Sequence, residues 1–188
     1  MEISLIRHGK SKYTEQAQIT CKDFKKWVEQ YDSHGVFEEN VYPANTLEKI
    51  SQANIVITSD LKRSIESAQI LNKNVKTISL PLFRETELPD PDINFWGIKL
   101  TSNVWAVLFR CLWLSGYARR CESVSNAKIQ RAKKASLLLT EYAQKHKSVA
   151  LVGHGFFNLL IAKELQKMGW QGKRKSDSKH WHCTTYSM

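Results

Sequence analysis

Apolar positions along the chain follow two rhythms. Short, mostly apolar runs at Ile3–Ile6, Asn54–Thr58, Val75–Ile78 and Ser148–Val152 are bounded by polar residues and rich in β-branched side chains. That is the pattern of strands covered on both faces. Between these runs, apolar residues recur every three or four positions. Phe24, Trp27, Val28 and Tyr31 mark one face of a helix over Ile19–Tyr31, and Trp105, Leu108, Phe109, Leu112 and Trp113 mark the face of another. Further helices are predicted at Thr46–Ser51, Leu61–Leu71, Glu122–Gln144 and Phe156–Met168, with Ser59-Asp60 supplying N-cap chemistry to the Leu61 helix. Pro81, Pro89 and Pro91 make Leu80–Asn94 mainly loop, and His180–Tyr186 is read as a last strand. Alternating strands and helices specify an α/β fold with a largely parallel sheet. No internal repeat or linker interrupts the pattern, so residues 1–188 are expected to form one domain. The segment at about 80–120 is read as a helical cap or lid insertion over one edge of the sheet.

Composition narrows the classes. The chain has 188 residues, the length of one domain. Its 28 Lys and Arg against 18 Asp and Glu give a net charge of +10, which points to an anionic partner: nucleic acid, a membrane surface or a phosphorylated molecule. Four scattered cysteines without a CxxC pair argue against a disulfide scaffold and for a reducing cytoplasm. The N-terminus lacks the basic and long apolar regions of a signal peptide. The longest apolar segment, Val104–Tyr117, is interrupted by Arg110 and too short to span a bilayer. A cytoplasmic location with no membrane partner is expected.

Three predicted strands end in unusual polar sets: Arg7-His8-Gly9, then Thr58-Ser59-Asp60-Leu61-Lys62-Arg63, then Gly153-His154-Gly155. Ligands of open α/β sheets bind outside the carboxyl ends of strands, so these sets are expected to converge on one site. Each alone reads as an ordinary turn or a solvated helix residue; their conjunction carries the weight.

In these residues the chain resembles the histidine phosphatase superfamily, the phosphoglycerate mutase-like group, in its small bacterial-type phosphatase branch. Arg7-His8-Gly9 stands at the family's nucleophile motif, Ser59-Asp60-Leu61-Lys62-Arg63 at its Ser-x-Leu-x-Arg element (with Asp60 where Pro is common), and Gly153-His154-Gly155 at its second histidine motif. Phe83-Arg84-Glu85 resembles the segment that carries the proton donor. The resemblance implies a three-layer α/β/α sandwich and a metal-independent phosphomonoester hydrolase with no cofactor. It also implies His8 as nucleophile through a phosphohistidine, Arg7, Arg63 and His154 around the phosphoryl group, and Glu85 as general acid and base. The chemistry fits these residue types. A neutral imidazole is a nucleophile near pH 7, and guanidinium forks match phosphoryl oxygens. Gly9 and Gly155 allow close backbone approach. Glu87 shares a face with Glu85 in extended chain, so periodicity leaves the two open as proton donor; family position favours Glu85.

The longer acid-bearing signature of the large mutases is missing after Glu85, which favours a phosphatase; a phosphoglycerate mutase-type phosphotransferase is the alternative. The expected substrate is a small phosphorylated molecule or a phosphoprotein. Arg110 is read either as a contact to a second anionic group of that substrate or as a guanidinium reaching solvent. A basic nucleic-acid-binding module, resting on Lys173, Arg174, Lys175 and Lys179, is the non-enzyme alternative; no nucleic-acid motif supports it. His180-x-His182-Cys183 has no second ligand pair at metal-site spacing, so no metal is expected there. The sequence does not set an oligomeric state.

Overall fold

The computed structural model describes residues 1–14, 17–74, 76–90 and 97–188. Val75, Pro91 and the 92–94 end of the expected loop lie outside the described residues. Strands β1 (Glu2–Arg7), β3 (Ile55–Thr58), β4 (Thr77–Ser79), β6 (Ser148–Gly153), β7 (Gln171–Gly172) and β8 (Cys183–Ser187) form one sheet in the order β4-β3-β6-β1-β8-β7. The four on the β4 side are parallel, whereas β8 runs antiparallel to both β1 and β7. The apolar strands explain this arrangement by alternation. Ile3, Leu5, Ile55, Ile57, Val149 and Leu151 enter one core, and Ile6, Val56, Ala150 and Val152 enter another on the opposite face. Both faces therefore need covering. Helices α5 (Ala132–His146) and α6 (Gly155–Lys167) cover the first, through Leu139, Ala143, Leu160 and Leu165. Helices α2 (Ala44–Ser51) and α3 (Lys62–Leu71) cover the second, through Ile50, Ala68 and Leu71. The result is the three-layer α/β/α sandwich.

A third, smaller core lies off the sheet. Helix α1 (Cys21–Ser33) packs Phe24 against Trp105 and Phe109 of helix α4 (Ser102–Leu114). A two-stranded ribbon of β2 (Ile19–Thr20) and β5 (Lys99–Leu100) ties their starts together, and Trp105 Nε1 donates to Ile19 O at 2.8 Å. Within the segment read as a cap, the described residues 99–114 thus pack jointly with residues 19–33. Trp113 belongs instead to the main core, with Nε1 donating to Glu122 O at 2.7 Å.

The differences from expectation are local and have causes. Ile19 and Thr20 are strand rather than helix, and Thr20 caps α1 by accepting from Asp23 N at 3.3 Å. The helix expected from Glu122 begins with a π-helical turn, Asn126–Arg131, before α5; such turns let one helix change register. Leu80–Asp90 carries a 3-10 turn at Pro81–Phe83. The last strand begins at Cys183, because His180 to His182 turn across the end of β1.

Candidate active site

Arg7, Thr58 and Gly153 end neighbouring strands, with Arg7 paired to Gly153 and Thr58 to Val152. The residues that follow therefore leave the sheet side by side. His8 N donates to Gly153 O at 2.9 Å, fixing the first histidine beside the second. The His8 and His154 rings lie 5.0 Å apart, edge to face. Both are buried, at 3% and 0% exposure.

The partners of His8 dictate its tautomer. Nδ1 lies 2.7 Å from Gly9 O, and a carbonyl can only accept, so Nδ1 carries the hydrogen. Nε2 then holds the lone pair, and the N–H at Arg63 Nε points to it at 3.3 Å. Burial, followed by His154 and Arg63, pushes the His8 pKa well below the ordinary histidine value, so the ring is neutral at pH 7. His154 is pushed the same way, by burial and then by Arg63, Arg7 and Arg131. Its Nε2 meets Ser59 Oγ at 2.7 Å, while its Nδ1 makes no hydrogen bond within the described residues.

Arg63 rises from the first turn of α3 and is 3% exposed. Its Nη1 pairs with Asp32 Oδ1 at 2.7 Å, and its Cζ stands 4.5 Å over the Tyr31 ring. Arg7 donates from Nη1 to Ser178 O, while its buried Nε makes no hydrogen bond within the described residues. Burial lowers its pKa, the largest effect on it. The unpartnered Arg7 Nε–H is a donor that an anion would satisfy, and so is His154 Nδ1 in the tautomer in which the Ser59 hydroxyl donates to Nε2.

Close approach requires Gly9 and leaves little room for a side chain at Gly155. A Cβ on Gly9 would lie 2.0 Å from Trp181 Cζ2, and one on Gly155 would lie 3.2 Å from Arg7 Nε. Ser67 Oγ accepts from Gly9 N at 2.9 Å, so α3 also holds the loop after β1.

The Ser59-Asp60 cap does not form. Leu61 is the N-cap of α3, without a side-chain cap hydrogen bond. Ser59 Oγ is drawn to His154 instead, and Asp60 forms a bidentate pair with Arg84, both contacts at 2.6 Å.

Glu85 sits at the start of α6. Its Oε2 accepts from Phe156 N at 3.0 Å, while Oε1 accepts from Phe157 N at 3.0 Å and Thr86 N at 2.8 Å. These are N–H groups that a helix leaves unpaired at its first turn. Glu87 is exposed along the same cleft and makes none of these contacts. Arg110 spends Nη1 and Nη2 on Thr86, at 2.5 and 3.0 Å to Oγ1 and O. Its guanidinium lies against the Trp113 and Phe156 rings, at 5.1 and 4.6 Å. Two of its nitrogens are thus engaged with the residue after Glu85, while the half-buried side chain also lines the cleft. Arg131, at the end of the π-helical turn, does similar work from the other side. It donates to Arg84 O at 2.8 Å and Leu82 O at 3.3 Å, and stacks 3.9 Å from the Phe157 ring.

Several neighbours of the histidines were not assigned to the site by sequence reasoning: Asp32, Tyr31, Arg131 and His180. His180 Nδ1 donates to His8 O at 2.9 Å, and its ring stands 5.5 Å from that of His8. His182 pairs with Asp177 at 3.0 Å and Cys183 Sγ contacts Thr185 Oγ1, so the His-x-His-Cys triplet disperses. No group of three or more metal-ligating side chains occurs among the described residues. No helix among them is long and apolar enough to cross a membrane.

The model of the histidine phosphatase superfamily (branch 1) matches residues 42–187. The chain belongs to the histidine phosphatase superfamily. The matched span contains the Ser59–Arg63, Glu85 and His154 elements; Arg7-His8-Gly9 precedes it and joins them through the β1–β6 pairing. No curated protein matches the sequence. Among solved structures, the product of a Mycobacterium tuberculosis open reading frame superposes with a TM-score of 0.59 at 14% identity, covering 98% of this chain and 89% of that one. The mycobacterial glucosyl-3-phosphoglycerate phosphatase gives 0.55 at 19% identity, over 88% and 79%. The Shigella flexneri α-ribazole phosphatase gives 0.50 at 15%, over 98% and 89%. At these identities the likeness is one of fold.

Proposed function

We propose that the protein is a metal-independent phosphomonoesterase that works through a phosphohistidine on His8. The observation that carries this reading is the partner-fixed neutral tautomer of His8. Its Nε2 lone pair is free of a proton and stands beside the Arg63 guanidinium. The phosphatases among its structural neighbours support the same class.

In the first step His8 Nε2 attacks phosphorus, the bond from phosphorus to the ester oxygen breaks, and the departing alkoxide takes a proton from Glu85. In the second, water attacks the phosphohistidine, Glu85 takes its proton, and the P–N bond breaks. Inorganic phosphate and neutral His8 result. Charge develops on the phosphoryl oxygens throughout, and Arg7, Arg63 and His154 are the donors placed to meet it. Among the described residues Glu85 Oε2 has Phe156 N as its one hydrogen-bond partner, against three donors on Oε1, so Oε2 is the oxygen assigned to proton transfer. Glu87 lacks this anchoring, and Arg110 acts as a positioning residue for the Glu85 segment. The α1–α4 unit serves as the cap. An adjoining cleft of about 780 Å³, lined by Arg63, Glu85 and Glu87, is of a size for a small phosphorylated molecule.

The test is turnover of p-nitrophenyl phosphate in EDTA, with acid-labile labelling from a radioactive phosphoryl donor. Activity that required a divalent metal would sink the mechanism. Labelling retained in His8→Ala would refute the nucleophile.

A further inference from the structure

The hydrogen that fixes the His8 tautomer is only as well placed as the carbonyl that accepts it. That carbonyl belongs to Gly9, which has no side chain to restrict its turning. What holds it is the peptide plane between His8 and Gly9. A trans peptide points its C=O and its N–H in opposite directions. Both are engaged here: His8 O accepts from His180 Nδ1 at 2.9 Å, and Gly9 N donates to Ser67 Oγ at 2.9 Å. The plane is gripped from two sides, by α3 and by the turn before β8.

That turn is built around the end of β1. Arg7 N donates to His182 O at 3.1 Å, Trp181 N donates to Arg7 O at 3.0 Å, and the Trp181 ring fills the space that a side chain on Gly9 would need. Trp181 is 2% exposed and has a φ of 65°, a conformation that bulky residues rarely adopt. Two side chains hold it there. Thr46 Oγ1 donates to its carbonyl at 2.7 Å, and Glu39 Oε1 accepts from its Nε1 at 2.8 Å. Backbone strain persists where the surroundings over-determine the path of the chain. This path sets His180 over the His8 carbonyl. His180 is half-buried, its ring stands 5.5 Å from that of His8, and its one side-chain hydrogen bond within the described residues is the one to His8 O.

We infer that His180 is a positioning residue for the nucleophile: by pinning the His8–Gly9 peptide it keeps the Gly9 carbonyl on His8 Nδ1. This deepens the phosphatase reading and rests on it for the role of His8. Arg63 Nε–H also faces His8 Nε2, but that contact is given up when the Nε2 lone pair forms the P–N bond and the ester P–O bond breaks. Nδ1 keeps its hydrogen through that step and the ring becomes cationic. The Gly9 carbonyl is then the acceptor that still orients the ring, and its dipole faces the new charge.

The test separates the hydrogen bond from packing and from catalysis. The His8 Nδ1–H resonance, assigned by its loss in His8→Gln, is followed by proton–nitrogen NMR at pH 7.5 in the wild type, His180→Ala, His180→Asn and His180→Leu. Asn places an amide N–H close to where Nδ1 stands, and Leu has the shape of Asn without the donor. The resonance is expected to be protected from solvent exchange in the wild type and His180→Asn, and to exchange at least about tenfold faster in His180→Ala and His180→Leu. On p-nitrophenyl phosphate, kcat should fall about tenfold in the Ala and Leu variants with KM within about twofold, and recover in the Asn variant. Thermal melts confirm that all three fold. A resonance unchanged in His180→Ala overturns the inference, as does His180→Leu matching His180→Asn. Loss of protection in His180→Ala without any turnover by the wild type refutes the phosphatase reading and leaves the positioning role standing. Wild-type turnover with an unchanged resonance in all variants does the reverse.

Discussion

Two buried neutral histidines in one small protein should leave a mark on its stability. In an unfolded chain a histidine takes up its proton near pH 6.5. In the folded protein His8 and His154 hold off protonation well below that, chiefly because burial removes the water that would solvate the cation. Between the two points the unfolded state binds more protons than the folded one, so stability falls as pH falls. At pH 5.5 about nine-tenths of an unfolded histidine is charged, and each such group lowers stability by about 1.2 kcal/mol per pH unit, or about 2.5 for the pair. His180, whose pKa is also lowered by burial, adds a smaller part. Carboxylates do not obscure this window. Those held low by partners, Asp60 by Arg84 and Asp177 by Lys179 N, lose their contribution only below about pH 5. The assay is urea unfolding at half-unit steps from pH 7.5 to about 5, with the wild type beside His154→Gln. The variant should show roughly half the slope. The imidazole NMR signals of His8 and His154 should also stay in place from pH 7.5 to about 5.5, the range in which an unfolded-chain histidine takes up its proton. A flat stability profile, or a His8 signal that titrates near pH 6.5, would refute the argument from burial.

Other consequences follow from single contacts. Asp32→Asn removes the carboxylate that competes for Arg63; because its side chain is 40% exposed the ion pair is worth only about 1 kcal/mol, so inhibition by inorganic phosphate should tighten about fivefold with a small loss in melting temperature. Weaker inhibition would show instead that Asp32 orients Arg63 for the anion. Glu85→Gln should cost about 100-fold in kcat on an alkyl phosphate and much less on p-nitrophenyl phosphate, whose leaving group needs no proton, while Glu87→Gln should be near wild type on both. Ser59→Ala strips the buried His154 Nε2 of its partner and should destabilise by about 1–3 kcal/mol, whereas Asp60→Ala, which loses a pair with the exposed Arg84, should cost under about 1 kcal/mol. Chemical denaturation ranks the two.

The fold and the heart of the site were legible because they rest on short-range rules. Unbroken β-branched runs can only be buried strands, and residues that follow parallel strands must emerge at one edge, so Arg7, Arg63 and His154 were bound to meet. What could not be read depends on pairing across long separations. No periodicity says that Ile19–Thr20 will pair with Lys99–Leu100 and so draw α1 into the cap; that pairing is what brings Tyr31 and Asp32 over Arg63. The N-cap at Ser59-Asp60 failed for a related reason. Cap propensity is a local preference of about 1 kcal/mol, and His154 and Arg84, both distant in sequence, offered better partners. His180 had a usable signal. If the last strand runs antiparallel to β1, its first residues must lie beside the end of β1, where His8 is; the polar run before Cys183 should then have been placed at the site.

The net charge of +10 takes on a different meaning at the site than over the whole chain. Around the cleft Arg63 is paired with Asp32, Arg84 with Asp60, Arg131 with Glu122 and Arg120 with Asp90, while Arg110 is turned onto Thr86. Most of its guanidinium charge is therefore already compensated within the protein. A phosphoryl dianion cannot draw on all of it without breaking ion pairs that hold the cap and the Glu85 segment in place. It can draw on Arg7 Nε, which has no such engagement among the described residues, on His154 Nδ1 when that nitrogen carries the ring hydrogen, and on Arg63 once Asp32 yields. Under the proposed phosphatase function, binding at this site exchanges the Asp32 carboxylate for a phosphoryl group on Arg63, and α1, which carries Asp32, is the element through which phosphate affinity is set.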